Sequence, residues 1–403
     1  MATNLRTDNV SRANPIVVER ARALQPFIRE KAKTAEDNRQ VSIEVIKALE
    51  AEGLFNISTP KRLGGLGENF RTFVDVLLEL GRADGGTAWV VGLLGAGNWF
   101  GSLFSARAQA EVFDNNPGAR LCGVFMPPKR TERVADDVGG GVRLTGEWSY
   151  ASGSAHADWA LLGLKLGDNP DGSPIMALGL VPMTDLTIKD TWYVAGMRAS
   201  GSNTLVGDNV FVPGYRIQLF SDLAEGKYLR EPSDEANDYA GFLPVAEVIL
   251  AATQLGLAYA AIELTRQKGA KKSVAYTVFT EARQSPAHQI ALAEAACEVD
   301  QAYMLLGRAS ADIDGKAARH EMLDMLTRAR IRMDAGAAAR LCRQAINRLL
   351  SVNGAGSFAE ANTLQRIWRD SEVSSRHALV LPEMASLIYG RMLFGIEEII
   401  QPF

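Results

Sequence analysis

Gly146-Glu147-Trp148-Ser149-Tyr150-Ala151-Ser152-Gly153, closed by Ala157-Asp158-Trp159, reads as a strand that ends in a corner of small residues and restarts as a second strand. The same texture runs outward from it in both directions. Leu121–Met126, Val142–Tyr150, Trp159–Lys165, Ile175–Val181, Leu186–Trp192 and Thr204–Val212 are short runs of β-branched, aromatic and aliphatic residues. Gly139-Gly140-Gly141 and Asp168-Asn169-Pro170-Asp171-Gly172 separate them as turns. Strands at this spacing, with no helical pattern between them, predict an antiparallel sheet or small barrel and exclude a βαβ succession.

On both sides of this block the period changes to that of helices. Val41, Val45, Ile46 and Leu49 form one stripe, with Ser42 placed to cap it and Gly53 to stop it. Pro60 with Gly64, Gly65 and Gly67 marks a loop, after which Phe73, Val76, Leu77 and Leu80 open another amphipathic helix. After a polar connection over 220–240 the chain reads as helical at 245–268, 286–314, 318–352 and 362–400, with Pro286 and Pro382 as punctuation. The expected organisation is α+β: an N-terminal α-helical domain over 1–116, a central antiparallel β-domain over 117–225 and a C-terminal helical bundle over 226–403. Ala and Gly on several faces of the bundle helices let neighbours approach closely, and helices apolar all round need partners on all sides, so oligomerisation through the bundle is expected.

With 403 residues, the chain exceeds what one core usually fills. It is 47% hydrophobic and 22% charged, with a formal net charge of −4 and no Lys/Arg block, which argues against a nucleic-acid surface. Cys122, Cys297 and Cys342 are odd in number and far apart, which fits neither a disulfide framework nor a zinc cluster and points to a reducing compartment. Arg6, Asp8 and Arg12 leave no room for the apolar core of a signal peptide. The uncharged, Gly-rich stretch from Gly85 to Ala106 reads as a helix packed inside the protein, not a membrane span, and the expected compartment is the cytoplasm.

Several catalytic signatures are missing from the sequence: G-x-G-x-x-G after a strand, the Walker lysine loop and the G-x-S-x-G elbow. Ser58-Thr59-Pro60-Lys61 matches S-x-x-K, but its proline prevents the helical turn that would align the two side chains. His156, His288, His320 and His377 show no metal-ligand spacing, so no metal is expected. Asn98 places an amide inside an otherwise apolar helix, where it needs a partner that a ligand can supply, whereas Trp89 on the same helix reads first as core. Asn353-Gly354-Ala355-Gly356 interrupts a helical pattern and exposes N–H groups, suiting either a phosphate or ribityl contact or a plain helix–helix turn. Ser152 alone reads as a turn serine bonded to its own backbone.

The order helical domain, β-domain, helical bundle resembles the acyl-CoA dehydrogenase superfamily. Particular stretches resemble its class D members, the oxygenase components of two-component flavin monooxygenases that hydroxylate phenolic or naphthoquinone-type aromatics. These are Gly86-Thr87-Ala88-Trp89, the Gly146–Gly153 corner with Trp159, Asp190-Thr191-Trp192-Tyr193 and Gly196 to Thr204. Val210-Phe211-Val212-Pro213 and Gln365-Arg366-Ile367-Trp368-Arg369-Asp370 with His377 complete the set. The acyl-CoA dehydrogenase-like fold so implied ends in a C-terminal four-helix bundle.

In typical dehydrogenases of this superfamily a catalytic Glu follows the Arg-Asp pair by a few residues. Here that place falls near Ala378, beside His377, and alanine cannot take a proton. Other dehydrogenases carry the base near the start of the first bundle helix, where this chain has Glu247, so dehydrogenation with Glu247 as base stays open. The resemblance implies reduced FMN or FAD supplied by a separate NAD(P)H:flavin reductase, O₂ as cosubstrate, a flavin C4a-hydroperoxide and a small aromatic substrate. It implies His377 and Ser152 as catalytic groups, with His377 an imidazole of near-neutral pKa that deprotonates or hydrogen-bonds the substrate OH or NH. Met126, Trp148, Ser152, Gly153, Lys272, Asn353 and Gly354 would bind the cofactor, and Trp89 and Asn98 would line the substrate pocket. Lys271 and Lys272 stand where dehydrogenases carry an Arg-x-x-Phe-Gly segment against the FAD pyrophosphate, a departure that fits FMN. N- or S-oxygenation and a non-catalytic flavin-binding role also remain open, and a homotetramer built through the bundle is expected.

Overall fold

The computed structural model describes residues 10–127, 130–134, 140–396, 398 and 400–403; Arg6 and Asp8 of the charged N-terminus and Gly139 of the expected turn lie outside them. Six helices come first: α1 (Pro15–Ala23), α2 (Gln25–Asn38), α3 (Ile43–Ala51), α4 (Phe70–Gly81), α5 (Gly85–Gly101) and α6 (Ala106–Phe113). Side chains set their starts. Ser42 accepts from Val45 N at 3.4 Å, Asn69 from Thr72 N at 2.9 Å, and Asp84 from both the N–H and the hydroxyl of Thr87 at 2.8 Å. The uncharged stretch that opens at Gly85 forms α5, buried along nearly its whole length, and runs on to the first residue of α6.

Among the described residues eight strands follow: β1 (Leu121–Val124), β2 (Arg130–Val134), β3 (Gly141–Ala151), β4 (Trp159–Asp168), β5 (Pro174–Pro182), β6 (Thr187–Lys189), β7 (Asn203–Pro213) and β8 (Ile217–Leu219). They form two four-stranded sheets, ordered β1-β4-β5-β8 and β2-β3-β7-β6. Every pairing is antiparallel except β1 with β4, which run parallel because β2 and β3 cross to the other sheet between them. Trp148 of β3 is 1% exposed and donates its indole N–H to Gly163 O of β4 at 3.1 Å, pinning one sheet to the other.

The short helix α7 (Phe220–Glu225) leads into α8 (Phe242–Gly269), α9 (Pro286–Ala317), α10 (Met325–Asn353), α11 (Thr363–Ser374) and α12 (Pro382–Leu393). The expected 318–352 helix begins late, at Met325, and the expected 362–400 helix divides into α11 and α12, with Pro382 opening the second. Among the described residues α8 is the one helix long and apolar enough to cross a membrane, and most of its apolar stretch is buried. It is apolar on every side because α4, α5, α9, α10 and α11 all pack against it.

Candidate active site

The corner predicted after β3 is built by an irregular end to the strand. The register of β3 against β7 shifts between Trp148 and Ala151, and Tyr150 takes a left-handed φ of 71° that turns its side chain outward. Gly153 repeats the left-handed turn at φ 71°, which only glycine adopts at little cost, and its N–H donates to Ser200 O at 2.9 Å. This joins the corner to the loop that precedes β7.

Ser152 sits at the junction. Its Oγ accepts from Trp89 Nε1 of α5 at 3.1 Å and lies 2.7 Å from Ser202 Oγ, which in turn lies 2.7 Å from Ser200 Oγ. Ser200 donates to Met197 O at 2.8 Å. The loop carrying these hydroxyls is held from the bundle: Asp370 of α11 accepts from Met197 N at 2.5 Å, and a Cβ on Gly196 would lie 2.0 Å from Arg369 O. Arg369 also donates to Ala195 O and pairs with Glu36 of α2, while Arg198 donates to Glu36 O at 3.2 Å. Burial, reinforced by the carboxylate of Asp84, pushes Asp370 up to about 7.

His377 follows α11 and meets the edge of the Trp89 ring, with centroids 5.9 Å apart. Its Nδ1 accepts from Leu379 N at 3.2 Å, which assigns the proton of the neutral ring to Nε2. Burial, with the positive charge of Arg332 adding to it, lowers the imidazole to about 4. The expected near-neutral base is therefore replaced by a neutral ring that presents an Nε2–H donor. Glu247 is fully buried against Arg332, at 3.1 Å, and Arg332 donates to Ala378 O at 2.7 Å, next to His377. Burial raises Glu247 to about 8, partly offset by Arg332.

The chain thus brings Trp89, Ser152, Gly153 and His377 together from three parts of the sequence. Other expected site residues lie elsewhere. Trp148 is core between the sheets, its N–H already engaged, because the inward-facing side of β3 needs a large side chain there. Asn98 is saturated by protein: it donates to Phe55 O at 3.1 Å and Asn56 Oδ1 at 2.7 Å, and accepts from Leu121 N at 2.9 Å. It clamps α5 to β1, with both amide hydrogens and the carbonyl oxygen already engaged by protein. Met126 is exposed just past β1. Lys272 donates to Asn353 O at 3.0 Å, Asn353 donates to Thr265 Oγ1 at 2.9 Å, and Gly354 follows at φ 72°. Thr265 is eighteen residues beyond Glu247 on α8, about 27 Å at 1.5 Å per residue, so this cluster stands far from His377. Ser200, Ser202 and Asp370 had no assigned role in the sequence; the one signal was the run of small residues Ala199-Ser200-Gly201-Ser202 within a recognised motif.

Two surface grooves, one of about 750 Å³ along α9 and α10 around Asn347 and Arg348, the other of about 200 Å³ around Phe55 and Pro117, border neither Ser152 nor His377. The hydrogen-bond network, and not groove size, marks the site. Among the described residues, no three or more His, Cys, Asp or Glu side chains are grouped to hold a metal ion.

The fold and this junction define an acyl-CoA dehydrogenase-type protein. Residues 18–109 match the acyl-CoA dehydrogenase N-terminal domain and 248–382 the C-terminal domain. The chain is 31% identical to the flavin-dependent monooxygenase oxygenase subunit HsaA of Rhodococcus jostii, over 94% of this chain and 98% of that protein. It is 32% identical to the p-hydroxyphenylacetate 3-hydroxylase oxygenase component of Acinetobacter baumannii, over 98% and 92% of the two chains. XiaF from a Streptomyces species, solved in complex with FADH2 and glycerol, superposes with a TM-score of 0.88 at 32% identity, covering 96% of this chain and 97% of that one. The chain belongs to the family of flavin-dependent monooxygenase oxygenase components. It is an oxidoreductase that uses reduced flavin and O₂.

Proposed function

We propose that the protein hydroxylates a small electron-rich aromatic bearing a ring OH or NH, phenolic or indolic, at the junction of Trp89, Ser152 and His377. Reduced FMN or FAD would come from a separate NAD(P)H:flavin reductase, as the oxygenase-subunit and oxygenase-component names of the relatives suggest. The observation that carries the reading is the placement of His377 beside Trp89, the same indole whose N–H holds Ser152.

The donor set suits a flavin. Ser152 is a buried hydroxyl next to the glycine corner, held by the Trp89 N–H and the Ser202 hydroxyl. Lys272, Asn353 and Gly354 remain candidates for the phosphate-bearing tail. When bound, reduced flavin supplies the electrons that activate O₂. The protein's part is to orient and to exclude water. His377 Nε2–H donates to the substrate oxygen and favours its anionic form, which raises electron density on the ring. Glu247 is engaged by Arg332 through Oε1, and the monooxygenase names of the relatives favour hydroxylation over dehydrogenation with Glu247 as base.

We further propose a homotetramer assembled through the bundle, where Ile290, Met304 and Leu387 expose apolar side chains. A cytoplasmic location is supported by three unpaired cysteines.

The test supplies reduced FMN or FAD with O₂ to the purified protein and a panel of phenols, naphthols and indoles. A hydroxylated product in amounts comparable to the O₂ consumed is expected for part of the panel. Hydrogen peroxide alone, with every aromatic recovered unchanged, would overturn the reading.

A further inference from the structure

We propose that Arg332 is a positioning residue for His377: from α10 it grips the peptide unit between Ala378 and Leu379, whose other side holds the imidazole, and so sets which ring nitrogen carries the proton offered to the substrate. The inference deepens the function proposed above and rests on it.

The two side chains meet through one peptide group. Arg332 Nη2 donates to Ala378 O at 2.7 Å, and Leu379 N donates to His377 Nδ1 at 3.2 Å. That oxygen and that N–H belong to the same planar unit, which is trans and points them in opposite directions. A cationic donor on the oxygen draws electrons from the N–H and makes it a stronger donor to Nδ1. Nδ1 must then present its lone pair, and the proton of the neutral ring stays on Nε2. A doubly protonated ring would set its own Nδ1–H against the Leu379 N–H, so the same contact opposes the charged form.

The turn that carries the ring is closed on itself, with His377 N donating to Ser374 O at 3.2 Å and Val380 N to His377 O at 2.9 Å. It lies along α10, on the face that Arg332 shares with Gly336 one turn further on. A Cβ on Gly336 would stand 2.7 Å from the Cβ of Ala385 and 3.6 Å from Val380 O. The bare glycine lets the segment settle within reach of the guanidinium.

Arg332 is paired differently from an arginine that serves packing alone. A guanidinium and a carboxylate left to each other form two parallel hydrogen bonds, as Arg308 of α9 and Asp334 of α10 do in this bundle. Arg332 meets Glu247 through Nη1 and Oε1 alone, at 3.1 Å, although both side chains are fully buried. Among the described residues Glu247 Oε2 and Arg332 Nε have no hydrogen-bond partner. The fork is turned from its carboxylate toward Ala378 O, the shortest of its contacts. Glu247 anchors the guanidinium, and the carbonyl beside His377 takes its best-placed hydrogen.

Among the described residues Arg332 is the charge that acts on the ring. Glu247 of α8 stands behind Arg332, and Arg328 of α10 behind Glu247. α5 faces the ring with Trp89, α11 meets its backbone at Ser374, and the C-terminal segment reaches Arg332 with Gln401 at 3.4 Å; none of these three titrates.

The test reads the ring itself. Full-length protein labelled with nitrogen-15 histidine is titrated and followed by magic-angle-spinning NMR, the His377 signals being those lost in His377→Gln. In the unaltered protein Nδ1 should stay unprotonated and Nε2 protonated down to about pH 5, a unit above the ring's midpoint. Arg332→Met should bring in the Nδ1–H form and raise that midpoint by about one pH unit. Should Arg332→Met fail to fold, the double variant Arg332→Met/Glu247→Gln removes both buried charges and carries the same expectation. Arg332→Lys, which keeps a cationic donor, should retain the Nε2–H form. With reduced flavin, O₂ and a phenol, the methionine variants should lower kcat about tenfold or more at little changed KM, and Arg332→Lys should recover part of the loss. A merely structural role would lower stability and leave the ring nitrogens and their titration as they are; that result overturns the inference, and hydroxylation by the unaltered protein would leave the proposed function standing. If the spectra shift as expected while the unaltered protein hydroxylates no aromatic, the function falls and the hold of Arg332 on the ring stands.

Discussion

Trp89 is shared by the two groups that define the site, giving its N–H to Ser152 and its ring edge to His377. With His377 Nδ1 occupied by Leu379 N, the ring offers a substrate one donor, Nε2–H. His377→Ala should lower hydroxylation at least about a hundredfold while O₂ is still consumed as peroxide, and His377→Gln, which keeps an N–H donor, should recover part of the loss. The pH profile of kcat/KM separates this role from that of a general base. An imidazole lowered to about 4 stays neutral through the physiological range, so no acid limb from His377 is expected between pH 6 and 7. An inflection there that vanishes in His377→Gln would restore the base role. Stability carries opposite signs at His377 and Asp370. The depressed pKa of His377 means its contribution is whole above 6.5 and is lost as pH falls toward 4. Asp370, raised from 3.8 to about 7, must take on a buried charge, so its contribution is lost as pH rises across that interval. Asp370→Asn keeps an oxygen to accept from Met197 N. Its melting temperature relative to the unaltered protein should climb between pH 4 and 7 and level off above; a constant difference would refute the burial-driven shift.

Among the elements, α5 shows how one polar side chain can be read two ways. Asn98→Ala would leave Leu121 N unsatisfied at the start of β1, costing about 1–3 kcal/mol in denaturant titration with the KM for the aromatic little changed. A raised KM at unchanged stability would return Asn98 to the substrate pocket. The need for a partner was visible in the sequence, because an amide stood alone among apolar residues. The partner's identity was not, since Phe55 and Leu121 lie 43 and 23 residues away. Alternation made β3 legible through Val142, Leu144 and Trp148, and uniform apolarity marked α8 as central. The family resemblance implied Trp148 at the cofactor, whereas in the fold it fills the space between the two sheets, and a strand's own sequence does not say which layer its inward face meets. β8 has three residues, too few to show a period, and the break before α10 is hidden in a run that stays rich in helix formers until His320 turns left-handed at φ 55°. The chain of serine hydroxyls escaped for a related reason: Ser152 and Ser202 are fifty residues apart, and only the bulge after Trp148 and the loop clamp bring them to 2.7 Å.

At the scale of the molecule, the site exists only where three blocks of chain meet: Trp89 from the first helices, the serines from the β-domain and His377 from the bundle. Its geometry therefore depends on the contacts that lock these blocks, and Arg369 is central to them. It reaches from α11 to Glu36 of α2 and to Ala195 O beside the serine loop, while Glu36 O also accepts from Arg198. Both partners of the ion pair are mostly shielded, with side chains 21% and 11% exposed, so the pair is screened less than a surface bridge. Removing either member leaves the other charge poorly compensated. Arg369→Ala and Glu36→Ala should each lower the melting temperature, and the double variant should cost clearly less than the sum, with a coupling of about 1–3 kcal/mol. Looser docking of the bundle on the β-domain would move His377 relative to Ser152 and let water in. The functional signature should then be a lower yield of hydroxylated product per O₂, with total O₂ consumption nearly kept. If both single variants retained full coupling at reduced stability, the ion pair would serve folding alone, and the registration of the three blocks would have to come from Asp370 and the close seat of Gly196 on Arg369 O.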